Sequence, residues 1–452
     1  MKHTFLAAAA LAVTTLAAAQ RSFDSTAYTR FYINRWENMQ YGAFPKETAL
    51  TTEDKIAGLS KCWAEARYNF ANFDLVPHLN WDSVYTAYIP KVVATGSNAE
   101  YYNVLRNFYQ HLRDGHTAIS LPRSHYADMN GTLPIELRWV EGKVIVTHNT
   151  SVRKEDAAIR PGMEVVSFAS VPILEYIQKN ISPVLNFSTV QDSTERIYRQ
   201  YLPIGKAGSE VSMVFRDPSG KQLAKTLKRV PVENYLQPYP LIDFKILKGN
   251  IAYLQINSFN DGKVVHLFDS LFASIAPTTA LIIDIRNNGG GNGNNGFEVL
   301  GCLTDKPFYP GKTVLRKYMP LARTWNSAES TEIGGFDWKP YKGKLYSKPV
   351  VLLTSGYTYS AAEDFTATFK TMNRGKVIGA PTGGSTGQPM FFSIPGGGVG
   401  YVCAKRDFFS NGEEFVGVGI QPDIPVVPTV KGIREGKDKV LDAALQYLHT
   451  LK

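Results

Sequence analysis

Three near-continuous apolar runs, 251–256, 280–285 and 349–354, limit what this chain can become. They lack the polar alternation of a half-exposed strand, so each is expected to be buried on both faces, like the strands of a helix-covered sheet. Helical patterning follows at about 361–372. It returns near the end, where Val440, Leu441, Ala444, Leu445 and Leu448 fall on one face. Strand and helix thus alternate from about residue 240 onward, which predicts an α/β layer structure for 232–452. With 452 residues, the chain exceeds one compact core and has room for two or three domains.

The preceding segments read differently. Thr51 or Thr52 can cap a helix with Glu53 and Asp54 in its first turn, and Ile56, Leu59, Trp63, Ala66 and Phe70 form its apolar stripe. A second helix is expected from about Asn98, burying Leu105, Phe108 and Leu112, with 72–74 and 80–82 as loops. These features define an N-terminal helical domain, 20–130. From 131 to 231 the period becomes that of strands. One hairpin is expected across Glu141 and Gly142, and another pairs 211–215 with 223–227 across Asp217, Pro218, Ser219 and Gly220. Between them, Ile159, Arg160, Pro161 and Gly162 feed a short strand. That turn resembles the centre of a PDZ domain, so 131–231 is expected to be PDZ-like; any small β-rich insert would fit the same signals.

Lys2 and His3 precede an uncharged apolar run from Phe5 to Ala19, which closes on three alanines. This is the pattern of a signal peptide cleaved after Ala19, and the run is shorter than the roughly 20 residues of a membrane span. An exported chain, periplasmic or extracellular and without an integral membrane segment, is expected. The net charge of +9 is scattered rather than blocked, which argues against a nucleic-acid partner. Cys62, Cys302 and Cys403 show no metal-ligand spacing and read as small core residues. No metal or organic cofactor is implied.

Two turns could carry chemistry. After the second apolar run come Asp284, Ile285, Arg286, Asn287, Asn288, Gly289, Gly290 and Gly291. Successive glycines let backbone N–H groups converge on an anion, although a flexible loop gives the same sequence. No phosphate-loop or GxGxxG pattern is present. After the third run, Ser360 stands between a turn and a helix, an exposed position beside the N–H of Ala361. Ser360 and Glu363 equally fit a helix capping box. His116 sits in the turn Asp114, Gly115, His116, Thr117, next to a glycine that frees the backbone.

Taken in order with Gly379, Ala380, Pro381, Thr382, Gly383, Gly384 and with Gly417 to Ile424, these motifs resemble the C-terminal processing and tricorn-like serine peptidases. The resemblance implies a catalytic core of the crotonase/Clp-protease-like kind, with Ser360 as nucleophile and the Gly290 and Ala361 amides as the oxyanion hole. One branch of that family uses a Lys about 25 residues beyond the serine, where this chain has Ser385. The tricorn-like branch uses an upstream His, which His116 matches. It also has a Glu where this chain has Val416; Glu414, two residues earlier on the same face of a strand, is the candidate substitute. Asp114 and Glu363 are further candidates for orienting groups. The implied substrates are unfolded polypeptides or oligopeptides, recognised at their C-termini by the PDZ-like domain. The alternatives are an inactive protein binding peptides or hydrophobic ligands on the same fold, and an acyl-CoA enzyme, which export disfavours.

Overall fold

The computed structural model describes residues 23–33, 44–232, 240–327 and 329–451. The expected signal segment, 1–19, lies outside them. Residues 1–38 and 39–452 are separate compact units; within the first, Ser25–Ile33 is a helix. Among the described residues no helix is long and apolar enough to cross a membrane.

The three apolar runs are the middle of a six-stranded sheet. Its order is Ile242–Leu247, Ile251–Ile256, Ala280–Asp284, Val350–Thr354, Gly375–Gly379 and Ile424–Pro425. The first pair is antiparallel and the rest are parallel. Successive residues point to opposite faces, as the strand period requires. Leu281, Ile283, Val350 and Leu352 pack with Phe268, Phe297 and Phe365, from the helices Lys263–Ile275, Gly293–Gly301 and Ala361–Thr371. Ile282, Val351 and Leu353 pack with Val440, Ala444 and Leu448 of the last helix, Lys439–Thr450. Burial on both faces explains why the runs carry no polar alternation.

Segment 131–231 forms the expected hairpins. Five strands, Ile135–Val140, Lys143–Asn149, Glu164–Phe168, Glu210–Arg216 and Gln222–Lys228, lie in that order and antiparallel. They surround an apolar cluster drawn wholly from 133–227. Glu141 and Gly142 take φ of 51° and 77°, the left-handed pair that a two-residue hairpin needs.

The helical part departs from expectation in two ways. Of the expected loop 80–82, Trp81 and Asp82 open the helix Trp81–Val93: Asn80 Oδ1 accepts the Ser83 N–H at 2.9 Å, and Trp81, Tyr88 and Val92 are buried. Asn80 and Asp82 are turn formers that equally begin helices, and Pro90 inside the helix disguises the period. Nor does the helical layer close on itself. Its core includes Phe392, Ile394, Val402 and Cys403, from the hairpin Pro389–Ile394 and Gly398–Cys403, to which Ala118–Ser120 adds a strand. Cys62, Cys302 and Cys403 are buried and unbridged.

Arg286 anchors the last helix to the sheet. It makes bonds of 2.6–3.0 Å to Asp284 and of 2.7–2.9 Å to Asp438, whose Oδ1 also caps that helix. Tyr253 donates a further 2.6 Å bond to Asp284. Arg286→Ala would leave the nearly buried Asp284 carboxylate unpaired, which costs about 3–5 kcal/mol in comparable buried pairs. Thermal denaturation should show a fall in Tm of several degrees; an unchanged Tm would mean that the network contributes no stability.

Candidate active site

The strands Ala280–Asp284 and Val350–Thr354 are parallel neighbours, with Asp284 beside Leu353. Their following loops therefore emerge together at the C-terminal ends of the strands, where open α/β sheets bind ligands. Side chains lock the two loops together. Ser355 Oγ donates to Arg286 O at 2.6 Å, Thr358 Oγ1 to Ile285 O at 3.0 Å, and the Tyr359 N–H to Asn288 O at 3.2 Å. The second loop ends at Ser360, whose φ of 55° and ψ of −127° are strained for a residue with a Cβ. Such a strand–turn–helix elbow presents a hydroxyl clear of the backbone.

The hydroxyl meets His116, 244 residues away in sequence: Ser360 Oγ lies 3.1 Å from Nε2. On the other side of the imidazole, Nδ1 lies 2.7 Å from Ser385 Oγ, and Ser385 in turn donates to Asp114 Oδ1 at 3.2 Å. That direction fixes the tautomer. With the Ser385 proton committed to Asp114, Nδ1–H donates to Ser385 Oγ and Nε2 is left to accept the Ser360 proton. Asp114 is buried and also accepts from Thr117 Oγ1 at 2.6 Å and Ser188 Oγ at 3.3 Å. Burial pushes its pKa up, against these donors. His116 is pushed down to about 3, first by burial and then by the charge of Arg196, with Asp407 opposing.

Glu363, one turn into the serine's helix, is buried and receives four donors: Thr382 Oγ1 at 2.6 Å and the N–H groups of Gly384, Ser385 and Ser360 at 2.7, 2.9 and 3.2 Å. Burial raises its pKa to about 8, against those four bonds. It orients the serine turn and the 382–385 loop rather than the imidazole.

Residues 250–426 match the family model described as Peptidase family S41. This segment is similar to peptidase family S41. A tricorn protease homolog from Streptomyces coelicolor is 22% identical over 387 residues, 81% of this chain and 30% of its own length. A chloroplastic C-terminal processing peptidase from Tetradesmus obliquus is 24% identical over 239 residues, 50% of this chain and 48% of its own. The chain thus spans less than half the length of these curated relatives. The crystal structure of mature CPAF superposes with a TM-score of 0.67 at 15% identity, covering 88% of this chain and 98% of that one; the likeness is one of fold.

Within residues 250–426, Gly290 lies against Ser360: a Cβ there would stand 2.7 Å from Ser360 Cβ and 3.1 Å from Ala361 N. Its φ of 102° also requires glycine. Its N–H, however, donates to Asn288 Oδ1 at 2.9 Å, so this half of the expected oxyanion pair is engaged within its own loop. Ala361 opens the helix, where an N–H has no intrahelical acceptor.

Glu414 is not brought to His116. It is exposed, pairs with Arg406 at 3.7 Å and bridges Phe408. Two residues share a face only along a regular strand, and residues 415–418 form none; Val416 is buried against Ala367 of the serine's helix.

Sequence reasoning missed Ser385 as the link to Asp114, and it misread Gly115. That glycine has no positive φ. A Cβ on it would lie 2.1 Å from Tyr359 Oη, 2.6 Å from Arg196 Nη2 and 2.7 Å from Asp192 Oδ2, so what matters is close approach, not backbone freedom. Gly115→Ala should destabilise the fold by about 1–3 kcal/mol, the usual range for overpacking. A melting temperature equal to the parent's would show that the cluster yields without cost.

Proposed function

We propose that this chain is an exported serine endopeptidase that cleaves peptide bonds in unfolded proteins or oligopeptides through an acyl-enzyme on Ser360. The observation that carries the reading is the continuous line Ser360, His116, Ser385, Asp114, with the tautomer it imposes. His116 Nε2 takes the Ser360 proton as Oγ attacks the carbonyl carbon, then delivers it to the leaving amine. Ser385 and Asp114 stabilise the imidazolium by accepting along the Nδ1–H direction. Water, deprotonated by the same nitrogen, then releases the acid product. The Ala361 amide at the helix start, joined by Gly290 once its N–H turns from Asn288, faces the developing oxyanion.

Segment 131–231 is read as PDZ-like. Such domains bind peptide ends by strand addition, which would deliver substrate C-termini. In that case, amidating a peptide's C-terminus should raise KM and lower kcat/KM; equal kinetics for both forms would assign the segment another purpose.

A fluorophosphonate probe should label the wild-type chain at Ser360 and leave Ser360→Ala unlabelled, with peptide hydrolysis lost in parallel. An unlabelled wild type, or a hydrolytic Ser360→Ala, would sink the proposal. The pH profile gives an independent check. An unperturbed His titrates near 6.5, and the acid limb of kcat/KM would fall at roughly 6–7 if His116 were ordinary. Burial and Arg196 lower His116, so the neutral base persists into more acidic solution and the limb should lie below that range. His116→Ala should lose as much activity as Ser360→Ala, because members of such a unit fail together.

A further inference from the structure

The helix Val190–Arg196 lies in the β-rich segment, far in sequence from both His116 and Ser360, yet it and the two residues before it touch the loops that carry Gly115, Tyr359 and Thr382–Gly383. Thr189 Oγ1 donates to Gly383 O at 2.7 Å, and Gln191 Nε2 to Thr382 O at 2.9 Å. Ser188 Oγ accepts the Gly115 N–H at 2.8 Å. Arg196 is the densest contact. Its Nε meets Asp192 Oδ1 at 2.5 Å, and Nη2 donates to Gly115 O at 3.2 Å and to Tyr359 Oη at 3.0 Å. The Tyr359 ring lies nearly parallel to the His116 imidazole, 14° between planes and 5.0 Å between centroids. One guanidinium therefore holds the backbone before the histidine and the ring stacked upon it.

We propose that Asp192 and Arg196 are a positioning pair for the general base, supplied by the β-rich segment, that fixes the plane of the His116 ring between Ser360 and Ser385 through Gly115 and Tyr359. The inference rests on the reading of His116 as base. Asp192 shapes the fork: its Oδ2 accepts the Ser188 N–H at 2.9 Å, which leaves Arg196 one orientation. A planar, multidentate guanidinium suits this task and an ammonium does not. Other charged groups also surround His116. Lys405 and Asp407 face it from the strand Lys405–Phe408 but are bonded to each other at 2.9 Å. Glu363 is saturated by its four donors, and Asp114 acts through Ser385. Arg196 is thus the cation whose removal His116 should feel.

The test compares Arg196→Met, Arg196→Lys and Asp192→Asn, with His116 titrated by NMR of its imidazole and peptide hydrolysis measured alongside. Arg196→Met should raise the His116 pKa, because a nearby positive charge disfavours the imidazolium. It should also lower kcat about tenfold or more with KM little changed, the effect of a misoriented base. Arg196→Lys should keep the titration near wild type without recovering kcat, since one nitrogen cannot reach three acceptors. Asp192→Asn should fall between them. A folded Arg196→Met whose His116 titration and kcat both match wild type would overturn the proposal. If Arg196→Met does not fold, Tyr359→Phe decides: it keeps the stacked ring and loses the hydroxyl that Arg196 holds, so kcat should fall, and an unchanged kcat would overturn the proposal. The titration needs no turnover, so a chain that hydrolyses nothing would refute the peptidase reading and still leave the positioning claim open to measurement.

Discussion

One buried carboxylate, Glu363, ties the turn that carries Ser360 to the loop that carries Ser385. It accepts the Ser360 N–H from one side and Thr382 Oγ1, Gly384 N–H and Ser385 N–H from the other. Removing such a carboxylate would strand four buried donors, each expensive to leave unmade. The strained backbone of Ser360 persists because this bond and the locks to Ile285, Arg286 and Asn288 over-determine it. Thr382 is held in turn by a reciprocal pair with Ile420, so the Gly-Ile-x-Pro-Asp stretch serves the site without touching its chemistry.

The histidine is supported from elsewhere. Its turn follows the helical layer, whose core is completed by the hairpin 389–403, and that hairpin grows out of the loop bearing Ser385. The Cys403 N–H donates to Thr117 Oγ1, which itself donates to Asp114. Ser360, His116 and the groups around its imidazole thus come from three parts of the chain, and the β-rich segment closes the remaining side through Ser188, Asp192 and Arg196. A site assembled this way depends on tertiary packing more than on any local motif. Arg286 plays the matching part behind the sheet, where it fastens the last helix.

The legible features were those whose signal is local. Two-sided burial wrote the sheet into three apolar runs, and a serine between turn and helix marked the elbow. The hairpin at Glu141 and Gly142 declared itself through its turn chemistry. Ser385 was noticed for lacking a lysine, but its bond to His116 spans 269 positions, and nothing near residue 385 announces it. Gly115 carried the right flag for the wrong reason, since the atoms crowding it belong to Tyr359, Arg196 and Asp192. Glu414 failed because strand parity was extended into an irregular segment. The helix Trp81–Val93 was hidden because Asn80 and Asp82 serve turns and helix starts alike.

The central claim is that Asp114 acts on His116 only through Ser385. A double-mutant cycle on the rate of fluorophosphonate labelling tests it directly, using Ser385→Ala, Asp114→Asn and the pair. If the three groups form one relay, each single change should slow labelling by about 10²–10⁴-fold, the scale of losing an oriented base, and the double variant should be little slower than either. Losses that multiply would contradict the account and leave Asp114 and Ser385 as independent supports of the turn.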